Sequence, residues 1–278
     1  ITVPHEFVEP ISYLFGRYGK GLSTELAGKG QVLLRTYITS GSRQRIARID
    51  VGIILVASIE PIGELQIREL ADDEDWQNTW KSHFRILRIG KNLVIKPTWL
   101  ELEPEPDDIV IELDPGIAFG TGYHPTTDTS LQAMEQHITP GLTVLDLGTG
   151  SGVLAVAAVK LGARAAIGID RDTDALESAR ESLALNDVAD QVELRVGALA
   201  DTTGVAHIVV ANLTGATLLR QRDAILALAR PGGSLILSGV LVAEAPAVTA
   251  AFETAGPCVW RASEDEWIGM IFRKSMAD

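Results

Sequence analysis

Six residues carry the chemistry legible in this chain: Asp146, Gly148, Gly150 and Gly152 within the stretch TVLDLGTGSG at 143–152, then Asp170 and Asn212. Each of the three polar residues closes a short run of apolar and β-branched residues, the composition of a buried strand. The alternating glycines let the chain take positive φ and let a ligand approach the main chain, and the apolar helix that follows opens with unpaired N–H groups. This is a strand, a tight turn and a helix start built to hold a small molecule.

The residues around the turn discriminate between ligands. A dinucleotide fingerprint needs Gly-x-Gly-x-x-Gly, and Val153 stands where the third glycine belongs. No Gly-x-x-x-x-Gly-Lys-Ser/Thr occurs, which excludes a P-loop. Asp146, two residues before the first glycine, would repel a pyrophosphate and suits an amino group instead. Asp170 follows Asp146 by 24 residues and shares its sheet edge, where a carboxylate can accept both hydroxyl protons of a ribose diol. Asp170 could instead cap the next helix, but Asp172 and Thr173 are better placed for that. A ribose and an ammonium group, with no phosphate, describe S-adenosylmethionine.

The elements that must position these residues follow from residue 109 onward, where strands (142–147, 165–170, 191–196, 206–211, 234–237) alternate with helices (152–161, 174–185, 215–229, 244–255). Two further strands near 259–262 and 267–272 end the chain. Parallel neighbours need a crossover, so the pattern predicts a mostly parallel, doubly wound α/β sheet with ligands beyond the carboxyl ends of its strands. The helix at 152–161 is apolar nearly all round, and a turn is expected at Pro231-Gly232-Gly233.

Residues 1–70 read as βαββαβ: strands near 1–6, 22–26, 31–39 and 64–70, and helices near 7–18 and 42–59. That is the order of a ferredoxin-like α+β sandwich. It holds no catalytic constellation, so substrate recognition or a structural part is its expected work, with Arg43, Arg45 and Arg48 on one helix. Between the domains, 71–108 is expected to be a linker. It has an acidic cluster at 71–75, a helix with Trp76 and Trp80 on one face, a strand at 93–96, and an acidic turn at 101–108.

Composition bounds the rest. The chain has 278 residues, 46% of them hydrophobic, with no apolar run long enough for a membrane span and no leader pattern at its start. One cysteine, Cys258, fits a reducing cytoplasm, and the five histidines lie too far apart in sequence for a metal site, so no metal is expected. The net charge of −13 argues against direct nucleic-acid binding and suits a basic partner. The charge is uneven: residues 1–66 hold 7 Lys/Arg against 6 Asp/Glu, and residues 114–278 hold 11 against 20.

Beyond these short patterns stands a longer one, DPGIAFGTGYHPTT at 114–127, together with 146–152, Gly168-Ile169-Asp170, Val210-Ala211-Asn212-Leu213, Trp80-Lys81-x-His83-Phe84, and Gly90-Lys91 through Lys96-Pro97. On these residues the chain resembles the class I methyltransferases and, more narrowly, the family that methylates large-subunit ribosomal protein eleven, over roughly 76–245. The resemblance implies a Rossmann-like doubly wound methyltransferase domain at 109–278 and S-adenosyl-L-methionine as cofactor. It also implies methyl transfer to lysine side chains or the N-terminal α-amine of a basic ribosomal protein, by a cytoplasmic monomer that binds neither membrane nor nucleic acid.

The same resemblance assigns roles. The loop carrying Phe119, Gly120 and Gly122 would fold over the cofactor, and Thr127 would contact it. By sequence, Thr126 or Thr127 could equally be the cap of the helix running to His137. Gly148 and Gly150 would bring main chain against the cofactor, Asp170 would take the ribose hydroxyls, and Asp146 would hold the amino group directly or through water. Asn212, which also belongs to the expected cofactor-binding set, and the Leu213 carbonyl would orient the acceptor amine, with His124 a conceivable base. Where amide and nucleobase N-methyltransferases have Asn-Pro-Pro-Tyr, this chain has Asn212-Leu213-Thr214-Gly215, without the aromatic lid for a planar acceptor. That leaves room for a flexible amine. Two other readings remain: a nicotinamide-dependent oxidoreductase, and a non-catalytic interaction protein that keeps the fold.

Overall fold

A computed structural model of the chain describes residues 1–4, 7–28, 30–38, 42–58, 61–68, 84–114, 124–199, 202 and 204–276. The chain divides into two compact units, 1–83 and 84–278, a boundary that falls within the stretch expected as linker. The first unit runs β1 (Thr2–Pro4), α1 (Val8–Tyr18), β2 (Lys20–Gly28), β3 (Gln31–Tyr37) and α2 (Arg43–Ala57). Its sheet has the order β1-β3-β2, antiparallel throughout. Alternate residues Val32 and Leu34 of β3 meet Ile11 and Phe15 of α1 and Ile49 and Ile53 of α2, each helical pair four residues apart on one face.

The fourth strand expected near 64–70 is absent from the described residues 61–68. Gly63 N–H donates to Thr2 O at 2.9 Å, so this segment reaches the open edge of β1. Pro61 has no N–H to extend a ladder, and Gly63 lies so close that a Cβ there would be 2.5 Å from Thr2 O. The expected helix with Trp76 and Trp80 lies outside the described residues.

The second unit begins with a small sheet, β4 (Leu87–Ile89), β5 (Leu93–Pro97) and β6 (Ile109–Leu113), in which β5 and β6 are parallel. Their connection carries the acidic turn, closed by a bidentate ion pair from Arg88 to Asp108 (2.6 and 2.9 Å). There follow α3 (Pro125–His137), β7 (Thr143–Leu147), α4 (Val153–Lys160), β8 (Ala165–Asp170), α5 (Thr173–Leu185), β9 (Val192–Val196) and β10 (Ala206–Asn212). The chain ends with α6 (Gly215–Arg220), α7 (Arg222–Leu228), β11 (Ala229–Leu241), α8 (Ala245–Phe252), β12 (Cys258–Glu264) and β13 (Trp267–Arg273).

Seven strands form one sheet in the order β12-β13-β11-β10-β7-β8-β9, parallel from β9 to β11 and antiparallel at β13 and β12. The expected doubly wound, mostly parallel sheet is therefore present. From β7 the chain winds outward through β8 to β9, then returns to β10 on the other side of β7. The crevice at this reversal is where ligands settle in open α/β sheets.

Helix α4 is apolar all round because it is covered on both sides, by the large sheet and by the small one: Val153–Val159 share a core with Ile95, Ile111, Val144 and Val210. Two side-chain clamps fix the small sheet. Glu135 of α3 accepts from Lys91 N and Asn92 N (2.7 and 2.6 Å). Asn186, at the end of α5, accepts from Glu112 N at 2.9 Å and donates to Glu112 O at 2.7 Å.

Two further expectations are corrected. The helix foreseen over 215–229 is broken at Gln221 into α6 and α7. Pro231-Gly232-Gly233 does not precede the strand but loops out of it, because Ala206 pairs with Ala229 and Ile208 with Ser234. Gly232 supplies the positive φ of +69° that the loop needs.

Candidate active site

Strand register brings the sequence-derived residues into one row at the carboxyl edge. Asn212 pairs with Ser238, and Asp170 pairs with Val196. The last pairs of β7, Ala211 with Leu147 and Leu147 with Ile169, set Gly148 one step beyond, level with Asn212 on one side and Asp170 on the other. The row is thus Ser238, Asn212, Gly148, Asp170, Val196. Its last member is an apolar side chain left 61% exposed beside the acid.

Gly148, Gly150 and Gly152 have φ of +74°, +55° and +79°, the left-handed region that the alternating glycines predicted. Gly148 and Thr149 both donate to Ile169 O (2.8 and 3.0 Å), which folds the turn back over β8. A Cβ at 148 would meet Leu213 Cδ2 at 2.8 Å, so any side chain there pushes the end of Leu213 aside and narrows the space between the two loops. Gly168 beneath it is needed for the same kind of reason, since a Cβ would lie 2.8 Å from Thr149 Oγ1.

The two carboxylates are prepared differently. Asp146 is fully buried; Thr149 Oγ1 donates to its Oδ2 at 2.7 Å, and its Oδ1 has no hydrogen-bond partner among the described residues. Burial raises its pKa to about 7; the Thr149 hydroxyl and the Ala155 N–H in the first turn of α4 pull it down, and the neighbouring Asp170 pushes it up. Asp170 is half-buried, and each of its oxygens takes one main-chain N–H, Oδ2 from Gly150 at 3.0 Å and Oδ1 from Asp172 at 3.1 Å. Both oxygens keep lone pairs for a diol. The cap of α5 is Asp172, which accepts from Asp174 N, so Asp170 is not engaged there.

Across the crevice, Asn212 is half-buried at the end of β10, and Leu213 N–H donates to Ser238 O at 3.0 Å. The Leu213 carbonyl rests over Gly239 (φ +80°), where a Cβ would come within 2.4 Å of its oxygen. Thr127 is buried in the first turn of α3, its Oγ1 without a partner among the described residues. Neither Thr126 nor Thr127 caps that helix. The cap is His124, whose Nδ1 accepts from Thr126 N at 3.3 Å and lies 2.8 Å from Thr126 Oγ1. Burial lowers the pKa of His124, and its Nδ1 is committed to the cap rather than to proton abstraction. Phe119, Gly120 and Gly122 lie outside the described residues.

Sequence reading missed Thr149, the donor to Asp146, and the cluster of Thr126, Thr129, Ser130 and Ser238, all buried. The signal was there in weak form: hydroxyl residues facing an otherwise apolar core must find partners.

The arrangement offers two buried oxygens without a partner among the described residues, a preset carboxylate and a glycine turn exposed at Gly148. This fits a cofactor with a ribose and an ammonium group. Comparison with known proteins points the same way. A family model described as ribosomal protein L11 methyltransferase (PrmA) matches residues 35–275. The chain is 35% identical over 317 residues to a ribosomal protein L11 methyltransferase of Chloroflexus aurantiacus, covering 99% of this chain and 96% of that protein. It is 48% identical over 202 residues to that of Geobacter metallireducens, covering 72% and 67%. Among solved structures it resembles a ribosomal protein L11 methylase from Lactobacillus delbrueckii subsp. bulgaricus, with a TM-score of 0.63 and 32% identity over 69% of this chain and 98% of that one.

Proposed function

Because the chain belongs to the ribosomal protein L11 methyltransferase family, we propose that it transfers methyl groups from S-adenosylmethionine to amino groups of ribosomal protein L11, at lysine side chains or the N-terminal α-amine. It is an S-adenosylmethionine-dependent protein methyltransferase. A basic substrate, a monomeric enzyme and a cytoplasmic location belong to the same reading; no helix among the described residues is long and apolar enough to cross a membrane.

The observation that carries the proposal is the pair of acids flanking Gly148. Asp170, its oxygens already oriented by two main-chain donors, takes the ribose hydroxyls. Asp146, buried with one oxygen unpartnered among the described residues, receives the ammonium group. Thr127 Oγ1 is the second buried oxygen that the cofactor supplies with a partner, and Gly148 and Gly150 let main chain lie against it. Val196 offers an apolar face for the base. Phe119 and Gly120 complete the cofactor set on the preceding loop.

When bound, S-adenosylmethionine supplies a methyl group on a positively charged sulfur, open to displacement by a neutral amine. Asn212 accepts a hydrogen bond from the acceptor nitrogen, and the Leu213 carbonyl accepts a second, which aims the lone pair at the methyl. An ordinary lysine amine has a pKa near ~10.4, so the acceptor sheds its proton to water before attack. The rate comes chiefly from alignment. The first unit, where α2 exposes Val51, Ile54 and Leu55, serves substrate recognition.

Intact mass of purified ribosomal protein L11 after incubation with enzyme and cofactor tests the activity, and mass increments of whole methyl groups are expected. Asp170→Ala should weaken S-adenosylhomocysteine binding by about tenfold or more. Asn212→Ala should bind it normally and lose about a hundredfold in turnover. Unimpaired turnover in the Asn212 variant removes that residue from the mechanism.

A further inference from the structure

Ser238 touches both halves of the site, and neither the sequence pattern nor the cofactor assignment uses it. It is completely buried, in register with Asn212. Through its main chain it holds the acceptor side: its carbonyl takes Leu213 N–H at 3.0 Å. Its side chain reaches the other way, donating to Thr126 O at 2.9 Å and lying 2.9 Å from Thr129 Oγ1. Thr126 O has three hydroxyls within hydrogen-bond distance, Ser130 Oγ (2.8 Å) and Thr129 Oγ1 (3.2 Å) besides Ser238, and the single Thr129 proton serves either this carbonyl or Ser238 Oγ. That carbonyl belongs to the first turn of α3, the turn that carries Thr127.

Two glycines make the arrangement possible. Gly239 leaves space for the Leu213 carbonyl, and Gly269 of β13 leaves space for Thr129, whose Cβ would lie 2.9 Å from any Cβ at 269. A hydroxyl buried in an apolar core keeps one position only if every partner is in place, because each unmet bond carries a desolvation penalty. The cluster therefore fixes the start of α3 against the end of β10 with little play.

We infer that Ser238 is a positioning residue for methyl transfer, setting the distance between the amine-orienting pair Asn212–Leu213 and the α3 turn at Thr127. The inference rests on the proposed reading of Asn212, Leu213 and Thr127. In-line displacement is sensitive to misplacement well under the length of a bond, so loss of the bridge costs turnover more than binding.

The test uses the full-length enzyme carrying Ser238→Ala, with Thr129→Val and Thr129→Ser as partners. For Ser238→Ala and Thr129→Val the expected result is a fall in kcat of about tenfold. The KM for ribosomal protein and the affinity for S-adenosylhomocysteine should stay within about twofold. The double variant should be no worse than the poorer single one, and Thr129→Ser, which keeps the hydroxyl, should recover most of the rate. Backbone hydrogen exchange in Ser238→Ala should accelerate in both 124–130 and 210–216. A kcat within twofold of wild type, or a loss of rate matched by an equal loss of S-adenosylhomocysteine affinity, overturns the inference. If the wild-type enzyme transfers no methyl group, the functional reading fails, and exchange still decides for Ser238: acceleration in both segments sustains its bridging role, and acceleration confined to β11 ends it.

Discussion

At the scale of single residues, Asp146 sets the electrostatics of the site. Its pKa of about 7 means that near neutrality the carboxyl is divided between its charged and uncharged forms. A bound ammonium group favours the charged form, so the cofactor displaces a proton. S-adenosylhomocysteine affinity should strengthen by about tenfold between pH 6 and 8 beyond whatever change Asp146→Asn shows, measured by calorimetry across that range. Equal slopes for the two proteins would discard the assignment. The unliganded enzyme has the opposite preference. A carboxyl whose folded pKa is raised contributes stability that is complete below the unfolded value, ordinarily 3.8, and is lost as pH rises through about 7. Asp146 and Asp170 were legible in the sequence because each ends a β-branched run beside glycines. Their partners were not: that Thr149 feeds Asp146 and that His124, not a threonine, caps α3 depends on rotamers and turn geometry.

At the scale of elements, the strands and helices of the large sheet were readable because their hydrophobic periods are clean and their crossovers regular. The failures share a cause, which is that local signals were right and their tertiary use was not. Pro231-Gly232-Gly233 does turn the chain, but within a strand that resumes its pairing afterwards. Residues 61–68 have strand-like neighbours, yet Pro61 and Gly63 leave them a single bond to β1 among those described. The clamps on the small sheet carry no sequence signature at all, because Glu135 and Asn186 act across 43 and 74 residues. Asn186 is buried and serves both the N–H and the C=O of Glu112. Asn186→Ala should lower unfolding stability by about 2 kcal/mol, seen as a reduced denaturation midpoint. An unchanged midpoint would show that pairing with β5 and apolar contacts hold β6 without this clamp.

At the scale of the molecule, each of the two units has a core of its own, and every residue of the proposed cofactor set lies in the second. A fragment of residues 84–278 should bind S-adenosylhomocysteine within about threefold of the full chain's affinity, while methylating intact ribosomal protein at least tenfold more slowly by kcat/KM, both factors on the order of a kcal/mol. Full turnover by the fragment would leave the first unit without a part in recognition.

Leu213 stands between two glycines, its side chain 2.8 Å from where a Cβ at 148 would be and its carbonyl 2.4 Å from where one at 239 would be. Leu213 thus meets one glycine with its side chain and the other with its main chain. A side chain at 148 pushes the end of Leu213 aside and must take a left-handed φ, and nothing done at 213 relieves the main-chain collision at 239. Substitutions at 148 and 213 are therefore coupled, whereas one at 239 is opposed by main chain whatever side chain stands at 213. A library meant to change the acceptor would do better to leave this trio intact and vary exposed positions such as Val242, sparing Thr214, whose side chain caps α6 by accepting from Thr217 N.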